Sequence, residues 1–358
     1  MREEVWWKQI TSSERFLRGI VDTLLDERNV VLYGSARMPW PHAMRSLARE
    51  ALELKRGNRK VLWVDAGEIG EGLGEHLMKH SCKSELQAKY RPALGYAKFL
   101  ADCETSTLPA KYIWIKNADA DSTKRWIDFI RDYTGALRSR TGAVFLLEAA
   151  EGAEEAGKDK AFKTFCYEKA INHYDRFVFN LLLAAEVNVD SASTRIRQYL
   201  AELASNVTEG DVELGAECIE RGKEFLADPY GTLRDIRETS GLGVPKALED
   251  TVRHAAWVAQ IKQVFPLLED YRQHFIADYE ELIKKELPQP GNDGSMIEEP
   301  GDAELGLLWF LFKDKWSPIS QAARDKLGKF RDARNRIAHM KLLSLEEMQE
   351  LCDLYERK

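Results

Sequence analysis

Cysteine is scarce and scattered: five residues in 358, at positions 82, 103, 166, 218 and 352, with no CxxC pair. That spacing argues against a disulfide framework or a structural zinc and is expected of reduced thiols in a cytoplasmic chain. Long apolar runs are absent too. None approaches the roughly 20 residues that span a bilayer, so no membrane partner is expected. The stretch MREEVWWKQITSSERF is charged and lacks an apolar core, so it does not read as a secretory signal. The seven histidines form no metal-ligand set; His76 and His80 stand four apart in GEHLMKHSC without a third ligand, so no metal is expected. A net charge of −7 excludes a general nucleic-acid coat, although it averages over the whole chain.

Among what is present, four short apolar runs stand out in the first 150 residues: VVLY (Val30 to Tyr33), KVLWVDA (Lys60 to Ala66), KYIWIK (Lys111 to Lys116) and AVFLLEA (Ala143 to Ala149). They are rich in Val, Ile, Leu and aromatics and separated by helical stretches, which predicts a buried parallel sheet with helical crossovers. From about Ala153 the pattern turns helical, and EKAINHYDRFVFNLLLAAEV could add one further strand or helix to the first domain. The turn GLGVP (Gly241 to Pro245) marks the preferred boundary. Beyond it Trp257, Ile261, Val264, Leu268, Tyr271, Phe275, Tyr279 and Leu282 step by threes and fours along one helical face, with Pro266 expected to kink or break it. Three more helical stretches follow, ELGLLWFLFKDKW, SQAARDKLGKFRDARNRIAHM and SLEEMQELCDLYER. The expected organisation is therefore an α/β domain over 1–153, a helical connector over 154–243 and an all-α domain over 244–358.

The turn after VVLY has the right place for a phosphate loop but lacks its chemistry. Such a loop needs backbone N–H groups aimed at the anion, a lysine for the terminal phosphates and a hydroxyl for magnesium, as in GxxxxGK[ST]. Gly34 is followed by Ser35, Ala36, Arg37, Met38, Pro39, Trp40 and Pro41, with no second glycine and no GK pair. Two prolines also remove N–H donors. The third strand ends in Lys116 and Asn117, with Asp119 and Asp121 displaced beyond it, and the fourth offers only Glu148. Arg37 or Arg45 could hold an anion or be solvated. In strand order and in the placing of Gly34, Ser35 and Arg37, residues 20 to 150 resemble P-loop ATPases of the AAA-like kind in a degenerate form. The departures imply a domain that does not hydrolyse ATP and takes no cofactor.

The other chemistry-bearing stretch is RDARNRIAHM, residues 331 to 340. From Gln321 to Leu345 seven Lys or Arg face two acids, so a nucleic acid would be met here, with Lys329, Arg331 and Arg336 as candidate phosphate contacts. Leu327, Phe330, Arg334 and Ile337 step by three and four, which puts Arg334 on the apolar stripe. Asn335 and His339, four apart, share the neighbouring face. Glu269 and Arg272 could approach this site from the preceding long helix, or form a simple i,i+3 ion pair. The motif RNRIAH (Arg334, Asn335, His339), late in a helical segment, resembles the catalytic motif of HEPN-domain ribonucleases over about Val244 to Lys358. RNA carries its own nucleophile, the 2′-OH, so such a site needs no metal: an imidazole can move the proton and a guanidinium can hold the phosphate. The resemblance implies His339 for proton transfer or orientation, Arg334 for phosphate and Asn335 for local geometry, in a homodimer with a shared site.

Together the two resemblances are similar to the make-up of prokaryotic antiviral defence and toxin proteins. They imply a metal-independent endoribonuclease regulated by an inactive NTPase-like domain, with RNA and a second copy or defence-system subunits as partners. The alternative is a non-catalytic assembly or nucleic-acid-binding subunit of a multi-protein defence complex.

Overall fold

The computed structural model describes residues 2–55, 58–69, 72–138, 140–150, 161–189, 193–291, 294–314, 316 and 318–356. They form two compact units, Met1–Asp175 and Arg176–Lys358.

The first unit is built on a five-stranded, all-parallel sheet in the order β2-β3-β4-β1-β5. Its strands are β1 (Asn29–Tyr33), β2 (Lys60–Asp65), β3 (Lys111–Lys116), β4 (Val144–Glu148) and β5 (Phe162–Cys166). The four expected apolar runs are the first four. β1 and β4 are buried along their whole length, as parallel strands covered on both faces must be. Val31, Tyr33, Ile113, Ile115, Phe145 and Leu147 turn to one face. There they meet α3 (Leu73–Ser81), α4 (Tyr96–Asp102) and α5 (Ala120–Leu137), which supplies Trp126, Ile130 and Tyr133. α1 (Thr11–Leu25) packs against β1, β4 and β5, and α2 (Pro41–Lys55) against α1 and β2. The connection leaving β1 crosses β4 and β3, whereas the connection leaving β4 crosses β1. The two neighbouring strands thus send the chain in opposite directions, which opens a crevice at their C-terminal ends.

The expected end of this domain, residue 153, falls outside the described residues. β5 extends the unit beyond it by pairing with β1 along five residues, from Asn29 with Phe162 to Tyr33 with Cys166. As an edge strand with exposed Lys163 and Thr164, FKTFC shows no continuous apolar run by which to be recognised.

After α6 (His173–Glu186) the regular elements among the described residues of the second unit are helices apart from a short hairpin, β6 (Gln289–Pro290) with β7 (Met296–Ile297). Its longest element is α10 (Leu248–Glu286), flanked by α7 (Thr194–Val207), α8 (Val212–Arg221), α9 (Pro229–Thr239), α11 (Leu305–Phe312), α12 (Gln321–Ala338) and α13 (Leu345–Glu356). One apolar cluster runs from Ala184 to Cys352 through these helices. The expected connector therefore shares a core with the C-terminal helices, and GLGVP is an exposed turn inside the unit rather than a boundary. Pro266 also differs from expectation. It lies on the exposed side of α10, where a freed carbonyl can meet water, and the helix runs through it; the non-helical residue is Tyr279, at φ −122°. No helix among the described residues is long and apolar enough to cross a membrane.

Candidate functional site

At the C-terminal end of β1 a tight turn engages two of its own backbone donors, those of Arg37 and Met38. Gly34 takes φ +75°, the left-handed turn that glycine adopts freely, and Ser35–Arg37 closes a single tight helical turn. Within it the Arg37 N–H donates to the Gly34 carbonyl at 3.1 Å and the Met38 N–H to that of Ser35 at 3.2 Å. Pro39 and Pro41 have no N–H to offer, and the Trp7 indole donates to the Pro39 carbonyl at 3.1 Å in the interior. Tyr167 and Glu168 lie over Gly34, close enough that an added Cβ would touch both at 3.6 Å. Arg37 is exposed and pairs with Glu168. Ser35 is half-buried beside it.

Arg45, which could have held an external anion, holds an internal one. Its Nε and Nη2 donate to the two oxygens of Glu148 at 2.8 and 2.7 Å, a bidentate fork, and the Trp114 indole donates to the same carboxylate at 2.7 Å. Glu148 is 3% exposed. Donation to Glu148 holds the Arg45 guanidinium even more firmly protonated than usual. Nearby, Asp65 at the end of β2 accepts from Asn117 Nδ2 at 2.7 Å and lies 3.2 Å from Lys116 Nζ. Burial alone would raise its pKa, but these bonds outweigh it and keep the carboxyl below the usual range. Asp119 caps α5: it accepts from the Ser122 N–H at 2.6 Å, the bond that lowers its pKa. No group of three or more His, Cys, Asp or Glu suited to a metal occurs among the described residues.

The second site is on α12. Its buried face carries Leu327, Phe330, Ala333 and Ile337, and Phe330 stacks on Tyr271 of α10 at 3.9 Å. Ala333 is buried on this face, whereas Arg334 is only half-buried. Arg334 is therefore on the flank, with its side chain 35% exposed and its Nη2 donating to Glu304 at 2.8 Å. The guanidinium that is buried on this helix belongs to Arg324, 6% exposed, whose Nε has no partner. The sequence reading passed it over because it precedes the motif.

Two anchors fix the end of α12. Trp257 donates its indole N–H to the Ile337 carbonyl at 2.8 Å, and Gln260 bonds Leu343 in both directions, at 2.8 and 2.9 Å. The helix stops in a Schellman turn, with Lys341 N–H on the Arg336 carbonyl and Met340 N–H on that of Ile337. His339 sits at this end, exposed, and Asn335 is half-buried one turn earlier.

The expected phosphate contacts have protein partners. Lys329 pairs with Glu350, and Arg336 with Glu347 and the Leu342 carbonyl, which ties α12 to α13 and its preceding turn. Arg331 lies over the Trp309 ring at 4.8 Å and pairs with Asp332 at 3.0 Å.

Beside Arg334 a groove of about 310 Å³ is lined by Phe265, Glu269, Arg272, Asp302 and Glu304 among others. Glu269 and Arg272 thus do come next to Arg334, and they also form their i,i+3 pair, at 2.6 and 2.9 Å. That pair, with Gln273, holds the Glu269 carboxyl down at about 2. Arg272 also donates to the Gly301 and Ala303 carbonyls at 2.8 and 3.0 Å, which fixes the segment carrying Glu304. His339 does not line this groove. Five residues along an α-helix rotate a side chain by about 140° and raise it by about 7.5 Å, so Arg334 and His339 diverge within one chain.

No protein-family model matches the chain, and no curated protein matches it in sequence.

Proposed function

We propose that the chain is a metal-independent endoribonuclease of HEPN type, coupled to a P-loop-like domain that no longer hydrolyses nucleotide. The observation that carries this reading is Arg334 on the rim of a groove, one helical segment from an exposed His339. α12 itself is pinned by Trp257 and Gln260. A guanidinium that is half-exposed and held by one carboxylate can exchange that partner for a phosphate at little cost, since a surface ion pair contributes about 0–1 kcal/mol. The imidazole would move the proton of the attacking 2′-OH, Arg334 would stabilise charge developing on phosphorus, and Asn335 would hold the geometry between them. The strand order supports the P-loop resemblance by placing the Gly34 turn at the crevice between β1 and β4. The engaged Arg37 and Met38 amides and the Arg45–Glu148 fork support the absence of hydrolysis. A role in prokaryotic defence, with a second copy or other subunits as partners, follows from the resemblance of this pairing of domains.

A second reading has its own observation. Lys329, Arg331 and Arg336 all lie in contacts within the protein, and Arg334 and His339 diverge, which suits a non-catalytic assembly or nucleic-acid-binding subunit. Cleavage of labelled RNA in EDTA separates the two. The ribonuclease leaves 2′,3′-cyclic phosphates, and Arg334→Ala and His339→Ala each lower the rate by about 10²–10³. Wild-type protein that leaves every RNA intact while binding partners would establish the second reading.

A further inference from the structure

Next to the groove at Arg334 lies a larger one, of about 800 Å³, between the β6–β7 hairpin and α11. Met296 of the hairpin lines it, as do Leu307 and Phe310 of α11, and Met296 and Phe310 are 53% and 58% exposed. Each of the two elements thus leaves a large apolar side chain open to water. Asp302 and Glu304 also line the groove, and no Lys or Arg does. Glu304 holds Arg334 at 2.8 Å, whereas Asp302 is exposed and makes no ion pair among the described residues. Glu298 and Glu299, exposed just before this segment, add charge of the same sign. Gly306 is part of the lining as well, and a Cβ built on it would meet no atom within 4 Å, so the space above it is open.

We propose that this groove docks an extended peptide segment of a partner protein, in which a lysine or arginine stands two or three residues from a Leu, Ile, Met or Phe. The sign of the charge selects the occupant. A cationic side chain meets the carboxylates of Asp302 and Glu304, whereas a phosphate backbone or an acidic peptide would set its own charge against them. The apolar part of the lining selects the second anchor, which Met296, Leu307 and Phe310 cover. Lys313 fixes the direction: its Nζ lies 4.9 Å from the centre of the Phe310 ring, so the apolar anchor belongs at Phe310 and the cation at the Asp302 end. The spacing follows from the helix. Six residues separate Glu304 from Phe310, about 9 Å along an α-helix axis. An extended chain covers that distance in about three residues. Arg334 does not line this groove, so the proposal stands apart from the ribonuclease reading.

The test is selection of random hexapeptides, displayed on phage, against the full-length protein. The enriched sequence is then measured as a free labelled peptide by fluorescence anisotropy. Enriched sequences should carry Lys or Arg two or three positions from an apolar side chain. Replacing that cation by glutamate should weaken the free peptide about tenfold, and Asp302→Asn protein should bind it about fivefold more weakly. Phe310→Ser, at an exposed position, should cost about tenfold. Gly306→Leu fills the open space and should abolish binding, while its urea midpoint stays equal or rises, because glycine is the poorer helix former. No enrichment, enrichment of acidic or uncharged sequences, or a peptide whose affinity both Gly306→Leu and Phe310→Ser leave unchanged would overturn the proposal. So would a labelled oligouridylate that binds more tightly than the peptide and is lost in Gly306→Leu. A dimer in light scattering that Gly306→Leu dissociates would assign the groove to a second copy instead, and would overturn it too.

Discussion

Arg45 and Arg334 show how one residue type acquires opposite roles from its surroundings. Arg45 sits in a fork with a carboxylate that is 3% exposed and has one further donor, Trp114. Removing the guanidinium would leave a buried charge nearly unsolvated. Arg45→Ala should therefore destabilise the first unit by about 3–5 kcal/mol in urea unfolding, and adding Glu148→Gln should return a large part of that loss. A change below about 1 kcal/mol would mean that water reaches Glu148 and that the fork resembles a surface pair. Arg334, facing one half-free carboxylate at the rim, has no such constraint. The sequence named both arginines but not their settings. Helical stepping could give the direction in which Arg334 leaves the helix but not how far neighbouring elements cover it, and nothing local signals that Glu148 lies beside a residue 103 positions earlier.

At the scale of elements, the regular parts were legible and their joints were not. Continuous apolar runs marked β1, β3 and β4 because central parallel strands are buried on both faces; β2, an edge strand, was marked by its own apolar run KVLWV, and three- and four-residue stepping marked α10 and α12. β5, at the opposite edge, escaped because its exposed Lys163 and Thr164 interrupt the apolar run. The GLGVP turn misled because turn residues do not distinguish a corner inside a core from a boundary between cores. The end of α12 carries a further local tension. Its Schellman turn requires a left-handed residue, and the chain puts Met340 there at φ +56° with an exposed side chain. Met340→Gly removes the Cβ conflict and should stabilise the second unit by about 0.5–1 kcal/mol in denaturant unfolding, after allowance for the greater freedom of glycine in the unfolded chain. Destabilisation instead would show that the methionine side chain contributes packing that its exposure conceals.

For the whole molecule, the open question raised by the proposed function is how Arg334 and His339 act on one phosphodiester when helix geometry turns them apart. A two-fold assembly answers it: the arginine of one protomer can meet the histidine of the other, and each dimer then holds two equivalent sites. This arrangement makes a prediction that neither single variant can. Arg334→Ala and His339→Ala proteins, each inactive alone, are unfolded and refolded together in equal amounts. In a mixed dimer one site joins the two substituted positions and is dead, while the other joins an intact arginine to an intact histidine. Random pairing makes about half the dimers mixed, so activity should return to about a quarter of the wild-type value. If each site draws both residues from one chain, mixing restores nothing, because every chain carries a defect. Light scattering on the same samples completes the argument. Recovery in a dimer establishes the shared site, whereas full wild-type activity from a monomer would require Arg334 and His339 to converge within one chain, against the geometry of α12.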